Sequence, residues 1–97
     1  MTVSYHLQGQ VFEWDEAKAR GNVDKHGVTF EEGAEAFFDP LCLFVDASVD
    51  GEQREAVLGY SFGQRLLLVV HAERSDVTRI ISARLATRSE RRLYEQS

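Results

Sequence analysis

The spacing of the apolar residues changes at Pro40 and divides the chain into a helical part and a strand-rich part. Before Pro40, Phe30 and Phe37 fall on one helical face, behind a capping box that begins at Thr29. Pro40 ends this helix, because the residue before a proline avoids helical angles. After it, short apolar runs with alternating spacing are typical of strands. Helices followed by a series of strands predict an α+β domain and exclude a doubly wound sheet.

The full order of elements follows from the same patterns. We predict a strand over 11–14, helices over 15–26 and 30–38, strands over 41–45, 54–62, 65–73 and 77–85, and a terminal helix that begins at a capping box at Thr87. Short connections favour an antiparallel meander, with the two early helices packed on one face of the sheet. The chain is expected to form a single domain over residues 1–97, with 1–10 as a flexible or loosely attached tail.

The charges are unevenly distributed along a chain whose net charge is −5. Residues 1–60 hold twelve acids and four basic residues, whereas residues 61–97 hold seven arginines and four acids. The planar fork of arginine matches phosphate oxygens, so the second part predicts a local anionic ligand. Arginines paired with nearby carboxylates are the alternative. Direct DNA binding is disfavoured by the acidic total and the lack of a basic recognition helix.

The single cysteine, Cys42, excludes an internal disulfide bond and is interpreted as a buried, unreactive thiol. The spacing of the histidines and carboxylates indicates no metal site, and we predict no cofactor. No apolar run is long enough to span a bilayer, so we expect a cytoplasmic protein that does not associate with a membrane.

Histidine and arginine could meet on the two strongest strands. If a three-residue loop joins them, His71 lies opposite Arg79, with Arg65 on the same face; a shift of one residue would place Ala72 there instead. Arg84 would point to the other face unless a bulge re-aims it. Cleavage of RNA by its 2′-OH needs a base, an acid and cations that stabilise the phosphorane, which these residue types supply.

Each of these residues also has a purely structural interpretation. A histidine on a strand is more often packed in the core than catalytic. Lys25 and His26 at a helix end complement the helix dipole. Trp14 is either a core residue or a platform for a stacked base, and Tyr94 faces the core with its hydroxyl at the rim.

A family resemblance can be read from motifs spread over residues 12–95. The chain resembles the BrnT toxins in Phe12-Glu13-Trp14-Asp15, Lys25-His26-Gly27-Val28, Phe38-Asp39-Pro40 and Arg79-Ile80-Ile81-Ser82-Ala83-Arg84. This resemblance implies a RelE-like fold and a ribonuclease toxin of a type II toxin–antitoxin pair that needs no metal. It also implies a BrnA-like antitoxin partner, which binds operator DNA on behalf of the complex.

The resemblance also suggests site residues. The catalytic candidates that it implies are Arg65, Arg79, Arg84, Lys25 and His26. His71 is added because of its place in the predicted sheet, and Trp14, Arg74 and Tyr94 are candidate RNA contacts. The roles of acid and base remain open among them. The alternative function is a non-catalytic protein-binding module that regulates transcription together with a DNA-binding partner.

Overall fold

A computed structural model describes all residues, 1–97, as a six-stranded sheet with three α-helices and one 3-10 helix. In chain order the elements are β1 (Thr2–Leu7), β2 (Gln10–Asp15), α1 (Glu16–His26), α2 (Phe30–Glu35), the 3-10 helix (Ala36–Phe38), β3 (Leu43–Asp46), β4 (Glu55–Tyr60), β5 (Leu66–Arg74), β6 (Val77–Leu85) and α3 (Arg88–Glu95). None of the helices has the length and apolar character required to cross a membrane.

Local signals explain where each helix begins. The side chains of Asp15 and Thr29 accept hydrogen bonds from backbone amides in the first turns of α1 and α2. At α3, Thr87 and Glu90 form both hydrogen bonds of a capping box. α1 ends at Gly27, whose φ of 68° is the left-handed conformation that glycine adopts without strain.

The strand order in the sheet is β1-β2-β6-β5-β4-β3. β3, β4, β5 and β6 pair consecutively and antiparallel, but β2 runs parallel to β6 through residues 11–13 and 77–79. The strands β4, β5 and β6 pair antiparallel as predicted, but the sheet as a whole is mixed. Glu13 and Arg79 are 66 positions apart, and the spacing of apolar residues does not reveal a pairing over that distance.

The N-terminal segment is part of the sheet. Residues 1–10 were expected to form a loose tail, but Thr2–Leu7 pairs with β2 as an edge strand. Val3, Tyr5 and Leu7 alternate with exposed residues and pack against the core, which holds this strand on the domain. The hairpin turns at Gln8 and Gly9, both of which have positive φ.

The main core lies between one face of the sheet and helices α1 and α2. Its largest side chains come from alternate positions of the strands and from α2: Phe12, Trp14, Phe30, Val57, Leu67, Val69 and Ile80. α3 makes its contacts on the opposite face, through Arg84 and Tyr60. The sheet therefore separates two surfaces that present different side chains.

A bulge in β6 changes the face to which its residues point. Val70 pairs with Ser82 but His71 pairs with Ile80, so Ile81 has no partner. Of the two registers considered from the sequence, the structure has the second, in which Ala72 and not His71 lies opposite Arg79. The bulge places Arg79 and Arg84, five positions apart, on the same face, away from α1 and α2.

Candidate functional site

Arg65 lies immediately before β5, and the side chain of Glu32 in α2 fixes its position. Its Nε is 2.9 Å from Glu32 Oε2, and its Nη2 is 2.5 Å from Glu32 Oε1. Nη2 also donates to the carbonyl oxygen of Gly27 at 3.1 Å, and the Ser61 hydroxyl donates to Glu32 at 2.9 Å. The side chain of Arg65 remains 40% exposed, so a ligand can reach it.

The contact with Gly27 brings Arg65 to the end of α1, where Lys25 and His26 form the last turn. Lys25 is exposed and His26 is half-buried. The Arg65 guanidinium lowers the pKa of Glu32, and Glu32 raises the pKa of Arg65, so both stay charged. We call Arg65, Lys25 and His26 the helix-end cluster, which combines a guanidinium held by Glu32 with an exposed lysine and a half-buried imidazole.

Arg79 and Arg84 form a second group on the other side of the sheet. Arg79 Nη1 lies 2.8 Å from Glu13 Oε2, and Glu13 alternates with the core residues Phe12 and Trp14. Arg84 binds Glu90 of α3 through two hydrogen bonds of 2.8 and 2.9 Å. We call Arg79 and Arg84 the open-face pair. Arg65 instead binds Glu32 of α2, so the prediction that Arg65 and Arg79 share a face of the sheet is wrong.

Polar contacts of α3 complete the open face. Glu90 raises the pKa of Arg84, and Arg84 lowers the pKa of Glu90. The Tyr94 hydroxyl donates to Asp39 Oδ2 at 2.6 Å, and burial together with this carboxylate raises the pKa of Tyr94 to about 12. The ring of Tyr94 packs edge-on against Tyr60. Tyr94 is half-buried and its hydroxyl already binds Asp39, so little of this side chain is free to contact RNA.

Two of the candidate residues lie in the core. The side chain of His71 is 2% exposed, and its ring packs against Phe37 and Phe44. Burial lowers the pKa of His71, and the nearby carboxylates of Glu73 and Glu55 oppose that shift only in part. A buried imidazole of this kind cannot reach a ribose hydroxyl, so the structure does not support His71 as a catalytic residue.

Trp14 is also buried, at 2% exposure, and packs against Tyr5 and Phe30. Its indole has no free face for a base, so the predicted stacking role is not available to it. Arg74, by contrast, is exposed at the end of β5, beside the turn to β6, and makes no ion pair.

The carboxylates that hold the arginines could not be identified from the sequence. Glu32 was predicted to complete a capping box with Thr29, but only its backbone amide binds Thr29, and its carboxylate binds Arg65, 33 positions away. Glu13 was taken only as part of a strand motif. No local signal distinguishes such carboxylates from solvent-exposed ones, because their partners are set by the packing of distant elements.

Comparisons with known proteins agree with this arrangement of elements. Residues 14–90 match the family model described as "Ribonuclease toxin, BrnT, of type II toxin-antitoxin system". The crystal structure of the Brucella abortus ribonuclease toxin BrnT is similar, with a TM-score of 0.52 and 25% sequence identity over 77% of this chain and 94% of that one. No curated protein sequence matches the chain. The chain therefore belongs to the BrnT family of ribonuclease toxins of type II toxin–antitoxin systems.

Proposed function

We propose that this protein is an endoribonuclease that cleaves RNA without a metal, by attack of a ribose 2′-OH on the adjacent phosphate. The observation that carries this proposal is the helix-end cluster, where Glu32 and the Gly27 carbonyl hold Arg65 beside Lys25 and His26. A guanidinium fixed in this way can bind the phosphate without first losing side-chain freedom.

The chemistry assigns a role to each member of the helix-end cluster. Arg65 stabilises the negative charge that develops on the phosphorane, which is the largest effect in such reactions. Histidine can accept or release a proton near neutral pH, so His26 transfers protons with the 2′-OH or with the leaving oxygen. Lys25 adds positive charge next to it. DNA lacks the 2′-OH and is not a substrate.

The open-face pair has a second role in this proposal. Arg79 and Arg84 lie on the opposite face of the sheet from α1 and α2, whereas Arg65 binds Glu32 of α2. We assign the open-face pair, together with Arg74, to binding of the RNA backbone. Replacing a residue of the open-face pair should therefore raise KM, whereas replacing Arg65 should lower kcat.

The proposal includes the partner expected for a toxin of this type. An antitoxin of the BrnA kind binds the protein and blocks its activity, and the complex binds operator DNA through the antitoxin. The toxin acts on cytoplasmic RNA and inhibits translation and growth.

The direct test is cleavage of a defined RNA by purified protein freed of antitoxin. We expect cleavage in the presence of a chelator, products that end in a 2′,3′-cyclic phosphate, and no cleavage of a substrate with 2′-deoxyribose at the cut site. Arg65→Ala should lower kcat about 10²-fold or more, by analogy with loss of an oxyanion donor. His26→Ala should cost about 10²–10⁴-fold.

Arg20→Ala is the matched control. Arg20 is an exposed arginine of α1, and its ion pair with Glu16, one helical turn earlier, involves no residue of the helix-end cluster. It should retain full activity. If Arg65→Ala and His26→Ala both retain full activity, or if the chelator abolishes cleavage, the helix-end cluster is not the metal-independent centre.

One observation favours the alternative of a non-catalytic binding module. Arg65, Arg79 and Arg84 each already bind a carboxylate of the same chain. If the antitoxin-free protein cuts none of a diverse set of RNAs, these pairs are structural, and the protein acts by binding a DNA-binding partner.

A further inference from the structure

β3 forms one edge of the sheet, and part of its backbone has no partner strand. The amide of Ala47 donates to the carbonyl of Arg54, which marks a hydrogen-bonded pair beside the end of β3. Such pairs recur at every second residue of an antiparallel ladder, so the N–H and C=O groups of Val45 and Leu43 also point toward β4. The N–H and C=O groups of Phe44 and Asp46 consequently point outward, and another strand can bind them.

Apolar surface accompanies these free backbone groups. Phe44 is 56% exposed, and Leu41, just before β3, is 70% exposed. The buried part of the Phe44 ring packs against Phe37 and His71, which fixes its position. A cleft of about 550 Å³ lies beside Phe44 and Val45. The edge thus offers an aromatic anchor for an added strand, next to a cleft that extends inward over β4 to Ala72 and Glu73 of β5.

The charge around this edge is negative. Asp46, Glu55 and Glu73 line the cleft. Residues 44–55 carry four carboxylates and a single arginine, Arg54, which already pairs with Glu52 at 3.2 Å. A negative edge repels RNA, and it also repels the same edge of a second copy of the chain. It favours a strand that carries lysine or arginine.

We propose that the β3 edge, residues 41–46 with the neighbouring acid Glu55, is the docking site for an extended basic segment of a protein partner. The segment adds to the sheet as a further strand, places an apolar side chain against Phe44, and directs basic side chains to the carboxylates. That this partner is the antitoxin rests on the proposed function. The edge geometry is independent of it, since the helix-end cluster lies with α1 and α2.

Synthetic peptides test this binding without any ribonuclease assay. The probe is an eight-residue peptide of alternating lysine and valine; the first control replaces lysine with glutamate, and the second carries N-methyl groups on alternate amides. We expect the lysine peptide to bind with a Kd of about 1 mM or tighter. NMR shifts should centre on residues 41–47, and the amides of Phe44 and Asp46 should become protected from exchange. The N-methylated peptide should bind at least about tenfold more weakly, because it lacks the strand hydrogen bonds.

Variants of the edge separate charge from backbone pairing. Asp46→Asn with Glu55→Gln should weaken the lysine peptide about tenfold and reduce its salt dependence, since each exposed ion pair contributes little alone. Asparagine can still accept the hydrogen bond from the Ser48 amide, so the loop is preserved. Glu31→Gln, which removes an exposed acid of α2, is the matched control and should leave binding unchanged.

Four results would overturn the proposal: no saturable binding, shifts centred on the other edge at Thr2–Leu7, equal binding of the glutamate peptide, or concentration-dependent shifts at β3 without peptide. The last result would identify a second copy of the chain as the occupant. A protein that binds the peptide as expected but cuts no RNA would refute the proposed ribonuclease activity alone.

Discussion

Replacing Asn22 with alanine should lower the free energy of unfolding substantially, because the Asn22 side chain makes three buried hydrogen bonds. Asn22 lies in α1, is 7% exposed, and its amide bridges α1 to β6. Its Nδ2 donates to the carbonyls of Val28 at 2.9 Å and Ala83 at 2.7 Å, and its Oδ1 accepts from the Ala83 amide at 3.2 Å. β2 pairs with β6 only through residues 77–79, so the Asn22 side chain takes the place of a strand beside Ala83.

The expected magnitude follows from the groups left behind. Asn22→Ala leaves three buried backbone groups without a hydrogen-bond partner: the N–H of Ala83 and the carbonyls of Val28 and Ala83. Each such group costs about 1–3 kcal/mol. Water that enters the vacated space recovers part of this loss, so we take the lower end, about 3 kcal/mol. Domains of this size are stable by about 5–15 kcal/mol, so this loss is a large share. The melting temperature should fall by about 12–24 °C.

Urea denaturation followed by the fluorescence of Trp14, the sole and buried tryptophan, measures this loss directly. Asp24→Ala is the control, because Asp24 is exposed on the same helix and makes no side-chain hydrogen bond; it should change stability by less than about 0.5 kcal/mol. If Asn22→Ala costs less than about 1 kcal/mol, the amide bridge does not join α1 to β6 in the way the geometry implies.

Three further predictions concern stability. Burial lowers the pKa of His71 below its usual 6.5, so a proton binds His71 more readily in the unfolded chain than in the folded one. The contribution of neutral His71 to stability should be fully present above about pH 6.5 and should decline as the pH falls below that value. Urea titrations at several pH values should show this decline in the parent and not in His71→Leu. Gly59→Ala would place a Cβ 2.6 Å from the Ala36 carbonyl oxygen and should cost about 2 kcal/mol or more by the same assay; an unchanged midpoint would refute the clash. Tyr94→Phe removes the donor to Asp39 and should cost about 1 kcal/mol, and a variant as stable as the parent would show that this hydrogen bond contributes nothing.

The helices could be predicted because their signals are local. Thr29 and Thr87 cap their helices through residues three positions away, and Gly27 ends α1 within one turn. The strands of the second part also lie close to their predicted positions, since alternation and turn residues are visible over a few positions. The family motifs identified the family that the comparisons show.

The composition of the site could not be predicted in the same way. Which face Arg84 occupies depends on the bulge at Ile81, and a one-residue irregularity leaves no clear trace in an apolar pattern. The parallel pairing of β2 with β6 joins distant segments, and it sets Glu13 beside Arg79. The sequence thus indicated which arginines and histidines are candidates. Their division into the helix-end cluster and the open-face pair depends on contacts between distant strands.

The position of β2 beside β6 has a consequence for how the chain acquires its structure. The strands from β3 to β6 can pair one after another as they are made, since each follows its neighbour in the chain. The pairing of β2 with β6 cannot form until residues 77–79 exist, and contacts between segments so far apart in the chain form slowly. During synthesis, Phe12 therefore remains without its β6 neighbour Thr78, and the Glu13–Arg79 pair forms late. A nascent toxin of this topology completes its sheet only when most of the chain has been made.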